Sequence, residues 1–377
     1  MQLYELTRFL AGFQALTWQN LVMLAVAGVL LYLALVHDCE PLLLVPIGVG
    51  CLLANIPLTG MWTAATHEEP AGLLRLFYEA GIRNELFPCL VFIGIGAMTD
   101  FGPLLQNPIM VLLGAAAQFG IFGTMLICTL LKLNIREAAT IGMIGSADGP
   151  TSIYVAAALA PRLLGPVAVA AYSYMSLVPI IQPPVMRLLT TKEERRIKMP
   201  YVTKPVSRTV RVLFPIVATL VCGLLAPKAT PLIGMLMFGN LMRESGVVPR
   251  LAQASQNEIA NAVTIFLGLA VGATMNGADF LQVQTVLIIA LGLVAFALDT
   301  AAGVLFGKIL CVLSGKRINP LIGASGISAF PMSARVVQRV GQDEDISNFL
   351  LMHAMGSNTA GQVASVMAGG AILAILL

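Results

Sequence analysis

Residues 145–152 read Gly-Ser-Ala-Asp-Gly-Pro-Thr-Ser and interrupt an apolar stretch that runs from Ala138 to Ala160. An uninterrupted stretch of this length would cross a bilayer as one helix. Glycine and proline at its centre instead predict two half-helices separated by unwound backbone. An ionised aspartate at membrane depth costs about 2.5–3.5 kcal/mol on an insertion scale. Asp148 therefore marks a functional site within the membrane.

The same broken element occurs a second time. Five of its residues recur 181 positions further along the chain. The pairs are Ile141 and Ile322, Gly142 and Gly323, Gly145 and Gly326, Pro150 and Pro331, and Ser152 and Ser333. Earlier blocks recur in the same order, and one of them pairs Pro46 and Asn55 with Pro231 and Asn240. Chance similarity among glycine-rich helices is the alternative, but several blocks in one order favour an internal duplication.

The composition agrees with a membrane protein. Of 377 residues, 58% are hydrophobic and 11% are charged, against about 25% charged in a typical soluble domain. Basic residues concentrate between Thr190 and Arg211, where seven Lys and Arg accompany two Glu. The positive-inside rule makes this loop cytoplasmic. Binding of nucleic acid or anionic lipid is the alternative, but the apolar spans on both sides favour membrane topology and no nucleic-acid partner.

We predict an all-α polytopic membrane protein of two inverted repeats, each with a broken intramembrane helix, in an elevator-transporter-like arrangement. Residues 1–19 form an amphipathic interfacial helix, and residues 20–190 the first repeat. Residues 191–209 form a basic cytoplasmic linker, and residues 210–377 the second repeat. Five full spans in each repeat would invert the second relative to the first. The six cysteines are scattered and lack a CxxC pair, which is typical of reduced packing residues.

The first broken segment predicts a site for a small alkali cation. It combines the carboxylate of Asp148, the hydroxyls of Ser146, Thr151 and Ser152, and free backbone carbonyls. Such hard oxygens can replace part of the hydration shell of a singly charged ion. A helix kink with a satisfied aspartate is the alternative. Asp299 is the other carboxylate well inside an apolar run, and a structural role and a functional role stay equally open for it.

In the second copy Ala329 replaces Asp148, so the acid is not duplicated. Ser325, Ser328 and Ser333 are the polar residues there, with Arg335 close behind. This arginine could hold a carboxylate or ureido-carboxylate substrate, or it could mark the membrane edge.

The last apolar span carries one polar face, because Asn358, Gly361, Gln362 and Ser365 follow the spacing of a helix. Gln182 matches Gln362 in the first repeat, which places both near the centre. Tyr174 is either an interfacial anchor or, if it lies deeper, a proton donor or cation ligand.

These motifs resemble a known family, the membrane-embedded β subunits of the sodium-pumping biotin-dependent decarboxylases. The most specific blocks are 142–151, 239–247 and 355–362. The resemblance implies that a soluble carboxyltransferase α subunit moves CO₂ from an acid onto biotin. The β subunit would then decarboxylate the carboxybiotin and export Na⁺ across the bacterial cytoplasmic membrane.

By motif position, the resemblance implies that Asp148 is the sodium-linked acid and Tyr174 the functional tyrosine. It also implies that Asn358 and Ser365 supply the polar ligands of the last helix. The implied partners are the α subunit, a biotin carrier protein or domain, and a small membrane γ/δ subunit. A plain Na⁺-coupled carboxylate symporter is the alternative function, and only the decarboxylase needs a biotinylated carrier.

Overall fold

A computed structural model describes residues 10–37, 41–66, 70–200 and 205–377. Every regular element within these ranges is helical, which confirms the predicted all-α class. Within these ranges five helical segments are long and apolar enough to cross a membrane, if Met110–Leu130 is counted as one segment despite an interruption at Gln118. Two further segments are bent, residues 73–98 by 65° and residues 161–189 by 69°. They raise the number to seven if each is one span.

The first half of the chain contains the helices up to the linker. They are α1 (Ala11–Gln14), α2 (Trp18–Val36), α3 (Pro41–Ala54), α4 (Leu73–Phe77), α5 (Leu86–Met98), α6 (Gly102–Gln106), α7 (Met110–Ala117), α8 (Phe119–Leu130), α9 (Ile135–Met143), α10 (Gly149–Leu159), α11 (Leu164–Leu189) and α12 (Lys192–Arg195). A π-helical turn spans Tyr78–Ile82, and 3₁₀ turns span Ile144–Ser146 and Pro161–Leu163.

The second half follows with a similar order of elements. They are α13 (Arg208–Leu225), α14 (Thr230–Ser245), α15 (Pro249–Ala254), α16 (Ala260–Ala273), α17 (Gly277–Phe280), α18 (Val283–Leu313), α19 (Met332–Glu344) and α20 (Leu351–Leu376). A π-helical turn spans Ser255–Ile259, and 3₁₀ turns span Pro227–Ala229 and Pro320–Gly326.

Both predicted breaks are present, and they differ for a physical reason. In the first, Asp148 caps α10 by accepting a hydrogen bond from the Thr151 amide at 3.1 Å. A capping carboxylate satisfies a free amide of the first turn. Ala329 cannot cap a helix in this way. The matching helix α19 accordingly begins later, at Met332, and has no side-chain cap.

The apolar run over residues 109–131 forms two helices rather than one. They separate at Gln118, whose side-chain amide donates to Gly114 O at 3.1 Å and to Gly326 O at 3.2 Å. The second of these bonds satisfies a carbonyl of the other half of the chain. Gly114 and Gly120 flank this position in the sequence, but glycine is frequent in uninterrupted membrane helices, so it did not indicate the interruption.

Helices of the two halves cross in matched pairs, α3 with α16 and α5 with α14. At the second crossing the backbones approach so closely that only glycine fits. A Cβ atom on Gly239 would lie 2.0 Å from Ile93 O, and one on Gly96 would lie 1.8 Å from Leu236 O. Asn240 strengthens this crossing by donating to Thr99 O at 2.9 Å.

The other crossing carries the equivalent hydrogen bond. Asn55, at the end of α3, donates to Met275 O at 2.8 Å, just beyond α16. Asn55 and Asn240 occupy equivalent positions in the sequence repeat. In the structure each donates a hydrogen bond to a free carbonyl at the end of a helix from the other half.

The start of the basic linker is folded onto the second half. Buried Arg195 pairs with Glu344 at 2.6 Å, and Lys198 pairs with Asp345 at 3.0 Å. Hydrogen bonds from Ser347 and the Lys198 ammonium hold the pKa of Asp345 at about 2. Because this pKa lies below its ordinary value, the stabilisation is present at neutral pH and is lost as the pH falls towards 2.

Residues 1–9 of the predicted N-terminal interfacial helix, which spans 1–19, lie outside the described ranges. Within those ranges α1 covers four residues, and Phe13 and Trp18 are exposed. Five of the cysteines lie in the described part of the chain, and all five are free, as predicted.

We predict that Gly239→Ala destabilises the folded protein by about 1–3 kcal/mol, because its methyl group would displace the Ile93 carbonyl. Gly234→Ala on the same helix is the matched control, since the nearest atom to its Cβ is 4.0 Å away. Thermal unfolding in detergent would measure both. Equal melting temperatures for the two variants would show that α5 and α14 do not make this close contact.

Candidate ion-binding site

The two broken segments meet in the interior of the protein. The backbone amide of Ser328, in the second segment, donates to Ser146 O in the first at 2.8 Å. The Ser328 hydroxyl donates to Asp148 Oδ2 at 3.2 Å. Each segment therefore satisfies polar groups that the other leaves free, in a region where water cannot do so.

Asp148 is the centre of this contact. Its side chain is buried, and Oδ2 also accepts a hydrogen bond of 2.6 Å from the Ser365 hydroxyl on α20. No ion pair joins Asp148 to a Lys, Arg or His within the described ranges. Hydroxyl and amide donors alone leave an ionised carboxylate without a neutralising charge. An ionised Asp148 would therefore need a cation beside it.

Two further buried oxygens belong to the first break's helix and to α20. Thr151 Oγ1 and Asn358 Oδ1 are buried and form no hydrogen bond of standard geometry with a described residue. The amide nitrogen of Asn358 donates to Ser325 O at 3.1 Å and Ile327 O at 2.7 Å, which fixes the side chain against the second segment. Unpaired buried oxygens call for an ion or water as partner.

The donor set excludes a transition-metal centre in the described part of the chain. No group of three or more His, Cys, Asp or Glu side chains there could hold a metal. One carboxylate with hydroxyl and amide oxygens instead suits a hard cation of low charge.

A cavity of about 380 Å³ gives access to the carboxylate. Asp148, Ser328 and Gln362 form its polar wall, and Phe92, Ile95 and Met98 of α5 are among its apolar residues. Gln362 is held there by a hydrogen bond of 3.2 Å from the Thr99 hydroxyl. The Gln182 amide nitrogen donates a hydrogen bond of 2.8 Å to Ala324 O in the second break. Each glutamine therefore lies beside one of the two breaks.

Two predicted site residues lie beside the cluster without touching Asp148. The Ser333 hydroxyl donates to Gln182 Oε1 at 3.0 Å. The Tyr174 hydroxyl donates to Ile289 O on α18. The Tyr174 ring packs near Gly292 and Ile144, immediately next to the first break. This tyrosine is buried, and an interfacial anchor would be exposed at a helix end.

Arg335 lies apart from Asp148 and its hydrogen-bond partners. It is exposed and lines a second cavity of about 450 Å³ between α11 and α19, together with Arg187, Arg339 and Asp343. The two cavities have no lining residue in common. Arg187 pairs with Asp343 at 2.8 Å, which leaves Arg335 and Arg339 as further cations facing this space.

Sequence reasoning missed two residues of the centre, Thr99 and Gln118. Both are polar residues within apolar runs, and this property could have indicated a role in the protein interior. Their partners come from the other half of the chain, so their contacts could not be read from local spacing.

Comparison with known proteins identifies relatives over nearly the whole chain. The family described as "Na+-transporting oxaloacetate decarboxylase beta subunit" matches residues 19–376. The chain is 55% identical to the glutaconyl-CoA decarboxylase subunit beta of Acidaminococcus fermentans, covering 97% of this chain and 96% of the relative.

Two further relatives carry different substrate names. Identity is 55% with the methylmalonyl-CoA decarboxylase subunit beta of Veillonella parvula, over 97% of this chain and 95% of that protein. It is 47% with the oxaloacetate decarboxylase beta chain of Klebsiella pneumoniae, over 94% and 95% respectively. The chain therefore belongs to the family of Na⁺-transporting decarboxylase beta subunits.

Proposed function

We propose that this protein decarboxylates carboxybiotin, presented by a partner biotin carrier, and couples the reaction to Na⁺ export across the bacterial cytoplasmic membrane. The observation that carries the proposal is Asp148, a buried carboxylate at the junction of two broken segments with hydroxyl and amide partners alone. The relatives named above are beta subunits of decarboxylases, and the matching family is named for Na⁺ transport.

Na⁺ binds between the first break and α20. Its ligands are Asp148, Ser146, Thr151, Asn358 and Ser365, joined by Ser328 from the second break. Ser365 illustrates how a hydroxyl can change role. It lies 3.0 Å from Gln362 O as well as 2.6 Å from Asp148. Donating to Gln362 would turn an oxygen lone pair towards the ion.

Release of the ion follows from protonation of the same carboxylate. Moving one charge against 100 mV requires about 2.3 kcal/mol, so the site must hold Na⁺ on one side and release it on the other. A proton on Asp148 removes the negative charge that attracted the ion. The hydroxyl and amide partners can then hydrogen-bond the neutral acid.

Alternating access comes from two inverted repeats that move in an elevator-like manner. The paired crossings of α3 with α16 and α5 with α14 support this arrangement, as do the equivalent bonds of Asn55 and Asn240. An inverted repeat brings both broken segments to one centre, which is where Ser328 meets Ser146 and Asp148.

Carboxybiotin approaches through the arginine-lined cavity between α11 and α19. Arg335 pairs with the ureido-carboxylate by charge-assisted hydrogen bonds. Because its cavity shares no lining residue with the cavity at Asp148, the elevator-like movement must join the two before Ser328, Ser333 and Asn358 bind the substrate. Tyr174 supplies the proton that the ureido nitrogen needs when CO₂ leaves. A bound Na⁺ nearby would favour proton release from its hydroxyl.

The partners are a soluble carboxyltransferase α subunit, the biotin carrier and a small membrane γ/δ subunit. The α subunit selects the acid or acyl-CoA. Avidin distinguishes this function from that of a symporter. It binds biotin and therefore blocks a pump that depends on a biotinylated carrier. Na⁺-driven carboxylate uptake by the β subunit alone, unaffected by avidin, would contradict the proposal.

Asp148→Asn is expected to abolish Na⁺-dependent decarboxylation while the complex still assembles, because the amide has the same shape but no charge. Decarboxylation against Na⁺ concentration, with size-exclusion chromatography, measures both properties. Asp100→Asn is the control, since Asp100 is about half exposed. Ordinary Na⁺ stimulation in the Asp148 variant would remove it from the ion site.

Tyr174→Phe should lower the turnover number by about 10²-fold or more, the usual contribution of a positioned proton donor, while Na⁺ affinity stays near normal. Tyr154→Phe is a matched control, because its hydroxyl also donates to a backbone carbonyl, that of Lys228. Single-turnover decarboxylation and ²²Na⁺ binding separate the two effects. Normal turnover would show that Tyr174 is not the proton donor and only fills space in the protein interior.

Arg335→Gln should weaken use of carboxybiotin by about 30-fold or more in kcat/KM, through loss of a charge-assisted contact. Free carboxybiotin as substrate reports this loss directly, and half-saturation by Na⁺ should hardly change. The exposed Arg250 provides a control as Arg250→Gln. An unchanged KM for carboxybiotin would place the substrate elsewhere.

A further inference from the structure

The cavity between α11 and α19 carries more positive charge than one arginine would give it. Its charged lining residues are Arg187, Arg335, Arg339 and Asp343. Three arginines and one aspartate give the cavity a net charge of +2. Asp343 is already paired with Arg187 at 2.8 Å. Arg335 and Arg339 are both exposed, and neither forms an ion pair within the described ranges. Two cations without an acidic partner therefore face the same space.

The spacing of these charges along α19 places them in one row. Arg335, Arg339 and Asp343 are four residues apart, so they lie on one face of the helix, and each is about 6 Å further along its axis. Like charges at this spacing destabilise an isolated helix. An anion bound between Arg335 and Arg339 would remove that repulsion.

The outer end of the row lies at the basic linker. Glu344, the last residue of α19, pairs with buried Arg195 of the linker at 2.6 Å. From this end the row runs inwards through Arg339 to Arg335, which lies in the first turn of α19, just after the second break. An anion that enters from the side of the linker therefore meets Arg339 before it meets Arg335.

The remaining wall of the cavity is apolar. Met332, Val336 and Val340 form a second row on α19, and Pro179 and Pro183 of α11 also line the space. A proline has no backbone N–H group with which to bind a polar ligand. A row of cations beside an apolar wall suits an anionic group attached to a ring system better than it suits a small hydrated anion.

We propose, resting on the function proposed above, that Arg339 is a second anion-binding residue for carboxybiotin and holds its ureido-carboxylate together with Arg335. Guanidinium groups form strong charge-assisted hydrogen bonds with carboxylates. When the C–N bond breaks and CO₂ leaves, the electron pair of that bond stays on the ureido nitrogen. The ligand thus carries one negative charge before and during bond cleavage. Arg339 stabilises the bound substrate and the transition state equally, so its contribution lies in KM.

Decarboxylation of carboxybiotin methyl ester by the purified complex tests this role. The ester masks the side-chain acid, as the amide bond on a carrier does, so the ureido-carboxylate is the one charged group. Arg339→Gln should raise KM by about 10-fold, as expected for a lost charge-assisted contact, and leave kcat within about twofold. Arg339→Lys keeps the charge and should restore most of the loss. Arg317→Gln removes an exposed charge outside the cavity and should change neither constant.

Two further measurements separate recognition of charge from damage to the fold. Biotin methyl ester is a neutral competitor, and its inhibition constant should be the same in the wild type and in Arg339→Gln. Asp343→Asn releases Arg187 and raises the net charge of the cavity to +3. The KM for the anionic ester should then fall by about threefold. A damaged fold would weaken binding rather than strengthen it.

A wild-type KM in Arg339→Gln, with a raised KM in Arg335→Gln, would overturn the role of Arg339 and leave the proposed function standing. Equal losses for the anionic and the neutral ester would also overturn it, as would an unchanged or higher KM in Asp343→Asn. A wild-type KM in both arginine variants would instead remove carboxybiotin from this cavity and contradict that part of the proposed function.

Discussion

Unwound backbone at membrane depth has no water to satisfy its amides and carbonyls, and this constraint shapes the whole centre of the protein. The second broken segment shows how it is met. Carbonyls of this segment accept hydrogen bonds from Gln118, between α7 and α8, from Gln182 on α11 and from Asn358 on α20. The Ser328 amide is satisfied by the first segment. The site is therefore the place where two irregular segments complete each other.

The two broken segments occupy equivalent positions in the sequence repeat but differ in their side chains. Asp148 gives the first segment a charge and a helix cap, whereas Ala329 gives the second neither. The charge makes the first segment suited to a cation, and the serine of the second segment, Ser328, reaches across to it. Arg335 follows the second break and faces a separate cavity. The two copies thus differ in charge, with a buried carboxylate in the first segment and an exposed arginine after the second.

The helical class and both breaks could be predicted from sequence because each depends on local signals. Glycine, proline and an intramembrane acid mark the break, and repetition at 181 positions links the copies. The polar face of the last helix was visible in its spacing. The interruption of the helix at Gln118 was not visible in the sequence. It depends on a hydrogen bond to the Gly326 carbonyl, which only the fold brings near. The isolation of Arg335 from Asp148 likewise depends on how α11 and α19 separate the two cavities.

The central claim is that Asp148, Ser328 and Ser365 surround one Na⁺ at the junction of the breaks. A cryo-electron microscopy map of the complex in Na⁺, compared with one in choline at equal resolution, tests this claim most directly. The account predicts a density peak within coordination distance of all three side chains in Na⁺ alone, with the Ser365 hydroxyl turned from Asp148 towards Gln362 O. A Na⁺-dependent peak elsewhere, with the bond between Ser365 and Asp148 unchanged, would contradict it.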